Sequence, residues 1–227
     1  LRELPYKIGS TFPEDSLSVL NTVAKQQLIN TSLFYDAQVT AQQVDSSSVN
    51  IQIKVSERWY FFPLPYFRWV DRNFSEWMHN SHFSLSRVNY GVNFRQSNFT
   101  GNNDKLVVSL ITGYTHQVAL RYQFPYIDKS LKWGVGAGLQ YYTQKEVNYN
   151  TGDNKQLFYS SNNVLREGFR FNVNSSFRKN LFERHNFQVG VGQEKVPDTV
   201  LLLNNRLLPT LNGKMNYFDF TYNYAKS

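Results

Sequence analysis

The chain has 227 residues, a formal net charge of +7, 41% hydrophobic and 16% aromatic residues, and no cysteine. A disulfide framework or a thiolate metal site is therefore impossible, and no stretch approaches the ~18–20 consecutive apolar residues of a transmembrane helix. Lys and Arg are scattered without a dense run, which argues against nucleic acid as the partner.

The opening Leu1-Arg2-Glu3-Leu4-Pro5 lacks the apolar core of an export signal, so the sequence reads as mature protein or an internal piece. Residues 11–32 read as a helix. Pro13-Glu14-Asp15 places acidic residues in its first turn, Leu17, Leu20, Val23, Ala24 and Leu28 recur at helical spacing, and Asn30-Thr31-Ser32 stops it. Two strands follow, Phe34 to Val39 and Val49 to Val55, joined by the polar turn Asp45-Ser46-Ser47-Ser48. Residues 1–57 thus predict a helix packed on a β-hairpin, a unit of marginal size.

Residues 58–86 read as a linker, and from 87 to 227 the sequence predicts strands and turns only. Val88, Tyr90, Val92 and Phe94 alternate with Asn89, Gly91, Asn93 and Arg95. Leu106, Val108 and Leu110 alternate after the turn Gly101-Asn102-Asn103-Asp104. The same period of two runs through Val118 to Phe124, Trp133 to Tyr141, Phe169 to Val173, Phe187 to Val191 and Phe218 to Tyr224. Each strand has one apolar face and one polar or glycine face.

Such strands suit either a soluble sandwich, whose apolar faces pack together, or a membrane barrel, whose apolar face meets lipid. The predicted strands approach the ~9–11 residues that cross a bilayer at a tilt, against ~5–6 in soluble sheets. Arg121, Gln123, Gly134, Gly136, Gly138, Arg170 and Asn172 would share the opposite face, as in a crowded wet lumen. Tyr122, Phe124, Tyr126, Tyr141 and Tyr142 cluster near strand ends, where interfacial girdles belong. These features favour the barrel.

Enzyme chemistry finds no foothold. His79 and His82, with Glu76 nearby, lack a third ligand and read as part of a solvated linker, and His116 and His185 read as turn residues. Gly134-x-Gly136-x-Gly138 has period two and no following helix, so it is a small-residue stripe on one strand face and not a dinucleotide loop. There is no nucleophile elbow, P-loop or His-Glu-x-x-His pattern, and no paired carboxylates. No cofactor or metal is expected. Asn30-Thr31-Ser32, Asn98-Phe99-Thr100 and Asn174-Ser175-Ser176 match a glycosylation pattern short enough to arise by chance.

The order of parts resembles the Omp85 superfamily, the BamA/TamA-like assembly factors of the bacterial surface antigen type. Its periplasmic POTRA module reads Gly-x-x-Phe, a helix, a Leu-Phe step, a strand, and a last strand ending in Glu. Here these fall on Gly9, Phe12, Leu17 to Leu28, Leu33-Phe34, Val39, and Val49 to Glu57. Asn89 to Phe94 with Asn98 to Asp104 resembles the family's first barrel hairpin, and Phe124-Pro125-Tyr126-Ile127 its Asp-Pro-Tyr step, with Phe124 in place of the Asp. Glu57 to Pro65, with Asp71-Arg72-Asn73-Phe74, resembles the Bacteroidetes branch.

The resemblance implies the C-terminal part of a POTRA module followed by about half of a sixteen-stranded transmembrane barrel. The family module begins with a strand and helix not seen ahead of Leu1, and the terminal Ala225-Lys226-Ser227 lacks the aromatic typical of barrel ends, so an incomplete protein is expected. It also implies an outer-membrane location with a periplasmic N-terminal part. The implied role is insertion or translocation of unfolded outer-membrane or secreted clients, in contact with lipid, lipopolysaccharide and accessory lipoproteins. A client strand would add to the sheet edge at Phe34, Tyr35, Ala37, Val39 and Ala41. The first barrel strand, Asn89, Tyr90, Gly91, Val92, Asn93 and Phe94, would be a lateral gate whose pairing Gly91 weakens. The competing expectations are a passive pore or structural barrel, and a soluble carbohydrate-binding sandwich.

Overall fold

A computed structural model describes residues 4–71, 73–79, 82–128, 130–152, 155–180, 183–209 and 212–226. Leu1, Arg2, Glu3, Arg72 and Ser227, which figure in the sequence reading, lie outside the described residues. The chain divides into two compact units, Leu1–Tyr60 and Phe61–Ser227.

In the first unit helix α1 spans Leu17–Asn30 and is preceded by a single 3₁₀ turn, Glu14–Ser16. The helix is shorter than the expected 11–32 because Pro13 is extended, with φ −60° and ψ 140°, which holds the preceding residues out of the spiral. Thr31 and the left-handed Ser32 (φ 61°) end it. Strands β1 (Phe34–Gln43) and β2 (Val49–Glu57) pair antiparallel, with a register shift between Phe34 and Asp36. The helix packs on β1, and Ala24, Leu28 and Ala37 form the buried contact.

The second unit begins where a linker was expected. Phe61–Trp69 is a strand, β3, followed by the short helix α2 (Phe74–His79). Then come β4 (Val88–Ser97), β5 (Lys105–Gly113), β6 (Thr115–Phe124), β7 (Trp133–Gln144) and the hairpin β8 (Glu146–Gly152) with β9 (Lys155–Ser160). The unit ends with β10 (Arg166–Arg178), β11 (Glu183–Lys195), helix α3 (Asp198–Leu203) and β12 (Lys214–Lys226). Eight strands form one antiparallel sheet in the order β12-β11-β10-β7-β6-β5-β4-β3, with β3 and β12 as its two edges. His116 and His185, expected in turns, lie inside β6 and β11. There the His185 ring lies against Tyr222 and Tyr224 in a row of aromatics.

The two ends of this sheet differ. At one end β4–β5, β6–β7 and β10–β11 are joined by short turns, each closed by an Asx side chain. Asp104 accepts from the Thr100 N–H at 2.9 Å and the Tyr122 hydroxyl at 2.7 Å. Asp128 accepts from the Trp133 N–H at 2.7 Å, and the Asn180 side-chain oxygen from the Glu183 N–H at 2.8 Å. At the other end β5 and β6 are joined by the single residue Tyr114, but the connections 70–87, 145–165 and 196–213 are long and carry α2, the β8–β9 hairpin and α3. A small apolar core forms there from Val147, Leu165, Val196, Val200 and Leu208. Arg87 bridges Asp71 (2.5 Å) and Glu146 and lies over the Phe158 ring at 3.8 Å, which ties two of the long connections together.

Burial alone would raise the Asp104 carboxyl, but the hydrogen bonds from the Thr100 N–H and Tyr122 outweigh it and hold it below the usual carboxylate range. Asp128 is lowered by the Ser130 hydroxyl and the Trp133 N–H. A lowered folded-state value means that the unfolded chain takes up the proton first. Both aspartates therefore stabilise the fold fully above ~pH 4, and the contribution is lost as pH falls through their depressed values. Asp104→Asn is expected to lower stability by about 1–3 kcal/mol at neutral pH and to flatten the acid limb of a denaturation curve measured by tryptophan fluorescence. An acid limb identical to that of the unsubstituted protein would contradict this.

Candidate functional site: the faces and open edges of the sheet

Because cross-strand partners share a face, the register sorts every side chain of the large sheet. One row runs Pro63, Phe94, Val108, Leu120, Leu139, Phe171, Val191, Phe218 across all eight strands without a polar residue. Its members are open to the surroundings: Leu120 is 45%, Phe171 40% and Phe218 67% exposed. Within this unit no second layer covers that face among the described residues, whereas a sandwich would bury it.

By the same register Arg121, Gln123, Gly134, Gly136, Gly138, Arg170 and Asn172 share the opposite face. The register adds a pattern that no single strand displays. Along one row the residues are Arg121, Gly138, Asn172, Gly190 and Asp219, so bulky polar side chains alternate with glycine from strand to strand. A Cβ at Gly136 would come within 3.0 Å of Gln123 and Asn174, one at Gly168 of the Tyr142 ring, and one at Gly192 of the Tyr217 ring. The glycines are the space into which neighbours lie.

Those neighbours form a network: Arg166 to Glu194 at 2.6 Å, Tyr142 to Glu194 at 2.8 Å, Arg170 to Asp219 at 2.7 Å, and Asn174 to Gln123 at 3.0 Å. No group of three or more His, Asp or Glu that could hold a metal occurs among the described residues.

The edges are the remaining chemical feature. In an antiparallel pair, residues point their N–H and C=O alternately towards and away from the neighbour. The Val70 N–H donates to the Arg87 carbonyl at 3.0 Å, which fixes the phase: Phe62, Leu64, Tyr66 and Arg68 point their backbone groups to β4, while those of residues 61, 63, 65, 67 and 69 face away from it. The Val196 N–H to Gly213 carbonyl bond (2.8 Å) likewise leaves residues 216, 218, 220, 222 and 224 of β12 facing away from β11. In the first unit the Val44 N–H to Ser48 carbonyl bond (3.0 Å) sets Ala37, Val39 and Ala41 facing away from β2. These three belong to the edge proposed from sequence; Phe34 and Tyr35 sit at its register shift, with Tyr35 79% exposed.

The strand expected to be first in the barrel is the second. Residues Asn89, Tyr90, Gly91, Val92, Asn93 and Phe94 lie in β4, paired to β3 on one side and β5 on the other. Gly91 does not loosen this strand, because a Cβ there would strike the Leu110 carbonyl, so its absence lets the β4 and β5 backbones meet closely. The edge position belongs to β3. Its Phe-Phe-Pro-Leu-Pro sequence hid it, since two prolines argue against an interior strand but not against an edge.

No protein-family model matches this chain, and no curated protein does. Its fold is similar to the crystal structure of BamA from Haemophilus ducreyi lacking POTRA domains 1–3, with a TM-score of 0.58 and 17% identity. The likeness covers 98% of this chain and 40% of that one, so the chain spans well under half the length of the protein it resembles.

Gly168→Ala and Gly192→Ala are each expected to destabilise the sheet by about 1–3 kcal/mol, because the Tyr142 or Tyr217 ring must move. Gly152→Ala, whose nearest contact would be an ordinary 3.6 Å from Leu157, serves as the control. Equal unfolding midpoints for all three variants would contradict the packing role of the polar-face glycines.

Proposed function

We propose that this chain forms the leading strands of an outer-membrane β-barrel of the Omp85 type, which helps other proteins into or across that membrane. The observation that carries the reading is the sheet itself: eight long antiparallel strands with an uncovered apolar face, an interlinked polar face and two open edges. An apolar face of this extent suits lipid, and the glycine-spaced polar face suits a filled lumen. Short turns throughout one end, and three long connections beside one tight turn at the other, suit the periplasmic and outer ends of such barrels. The likeness to BamA supports the same architecture. Open edges in hydrocarbon leave unpaired N–H and C=O groups, so further strands continue the sheet and close it.

In this reading the N-terminal helix–hairpin unit is the C-terminal part of a periplasmic POTRA module. The backbone of Ala37, Val39 and Ala41 adds an extended client segment by β-augmentation. The lateral gate is the edge of β3, not the 88–95 strand, and the clients are unfolded outer-membrane or secreted proteins. Lipid, lipopolysaccharide and accessory lipoproteins are the surrounding partners.

The natural full-length protein is expected to require detergent and to migrate differently on gels with and without boiling. A protein that stays monomeric and folded in plain buffer would instead point to a soluble sandwich. The gate is tested by a disulfide between Tyr66→Cys and the closing strand, in a chain with no other cysteine among these residues. Tyr66 points its backbone towards β4, the phase in which side chains across the seam lie closest. The locked form is expected to lose client insertion in proteoliposomes and to regain it on reduction. Full insertion by the locked form, with large steady conductance, would favour a passive pore.

A further inference from the structure

Along the middle of the large sheet cations are matched by carboxylates: Arg166 pairs with Glu194, Arg170 with Asp219 and Lys195 with Glu167. At the short-turn end of the polar face that balance breaks. A cavity of about 240 Å³ opens there, lined by Lys105, Lys132, Arg178 and Arg184. Among the described residues none of these four is in an ion pair, and no carboxylate lines the cavity. The acidic side chains of this end are engaged elsewhere. Asp104 is held by the Thr100 N–H and Tyr122, Asp128 by Ser130 and the Trp133 N–H, and Glu183 by Lys179 at 3.3 Å.

The register forces this excess together. Arg178 and Arg184 are direct cross-strand partners, and like charges in that position repel. Lys105 shares their face through its partner Gln123, whose side-chain oxygen accepts from Asn174 at 3.0 Å. Arg178 is held in place: its guanidinium lies over the Tyr126 ring at 5.2 Å and donates to the Tyr126 hydroxyl at 3.3 Å. Ser176 and Asn186 add neutral polar groups to the wall. An arginine fork grips the oxygens of an oxyanion in pairs, and a lysine adds a point charge. Four cations exceed what one carboxylate neutralises and suit a multiply charged group. The volume lies below the ~300–1,000 Å³ of pockets for drug-sized ligands, which favours a small ion.

We propose that this cavity is a binding site for a phosphate-class oxyanion, a single phosphate or a diphosphate, gripped between Arg178 and Arg184. The bound anion turns the repulsion of the two guanidinium groups into a shared attraction, and Lys105 and Lys132 supply the remaining charge. The cavity lies on the face opposite the apolar row, so its ligand arrives through solvent and not as the headgroup of a lipid lying against that row. In the barrel reading this is the periplasmic mouth of the lumen. The site itself is built from β5, β6, β7, β10, β11 and their turns, and it stands whether or not that reading does.

Calorimetric titration of the natural full-length protein in phosphatidylcholine nanodiscs with pyrophosphate tests this, at fixed ionic strength because exposed charges are screened by salt. Saturable binding is expected, with acetate binding at least about tenfold more weakly. Arg184→Gln should weaken pyrophosphate about tenfold, as one charge-assisted contact is lost, and R178Q/R184Q should abolish binding. Lys214→Gln, at the far end of the sheet, should leave it unchanged. Because Arg184→Gln relieves a like-charge contact, its unfolding midpoint without anion should not fall. A fall would mean that Arg184 is partnered within the fold, and would overturn the site. Equal affinity in the unsubstituted protein and R178Q/R184Q, or heat with a hexaglutamate peptide but none with pyrophosphate, also overturns it. Binding should persist in phosphatidylglycerol nanodiscs; its loss there would give the site to a lipid headgroup and overturn the solvent-borne source. None of these outcomes bears on the detergent requirement or the Tyr66→Cys lock, so the barrel reading is judged separately.

Discussion

The pairing of backbone N–H and C=O groups is the constraint on which this structure depends. Wherever water is excluded each unpaired group costs several kcal/mol. The large sheet meets the demand by running every neighbour antiparallel and in register, from β3 to β12. At one end it does so with turns whose own loose N–H groups are gathered by Asp104, Asp128 and Asn180. What the sheet does not satisfy is confined to two edges, and that is where an activity involving other strands would act.

Side-chain placement follows from the same ladder. The pairing that fixes hydrogen bonds also fixes which residues share a face, and it yields a continuous apolar row on one side. The other face is organised by volume as much as by polarity. Arg121, Asn172 and Asp219 alternate with Gly138 and Gly190; the Asn172 and Asp219 side chains lie against those glycines, and Asp219 reaches Arg170 two strands away. Arg166 with Glu194 and Arg170 with Asp219 are only partly exposed pairs of this kind. Their role is to fill and fix that face, since exposed ion pairs contribute little to stability on their own.

The period-two strands were legible because alternation survives in the sequence wherever one face is apolar: 88–97, 133–144 and 214–226 are examples. The glycine stripe was legible as a stripe, but not as the receiving half of a cross-strand pattern. Strand β3 escaped because its faces are both largely apolar and its prolines mimic a breaker. That omission displaced the expected edge by one strand and gave Gly91 a role opposite to the one the backbone assigns it. The β8–β9 hairpin and α3 escaped as well: their apolar residues, Val147 and Val200 among them, are too few for a periodic signal and are buried only against each other.

The sequence by itself determined the class of this protein: a helix and hairpin followed by long two-faced strands, with one face fit for lipid and one for water. Local chemistry suffices for that, since period, turn residues and composition are properties of neighbouring positions. Only the tertiary structure decided which strand is an edge, which backbone groups face outward from it, and which side chain lies over each glycine. Those depend on register between segments far apart in the chain. A shift of one residue there would move every side chain to the other face while leaving each strand's own sequence unchanged.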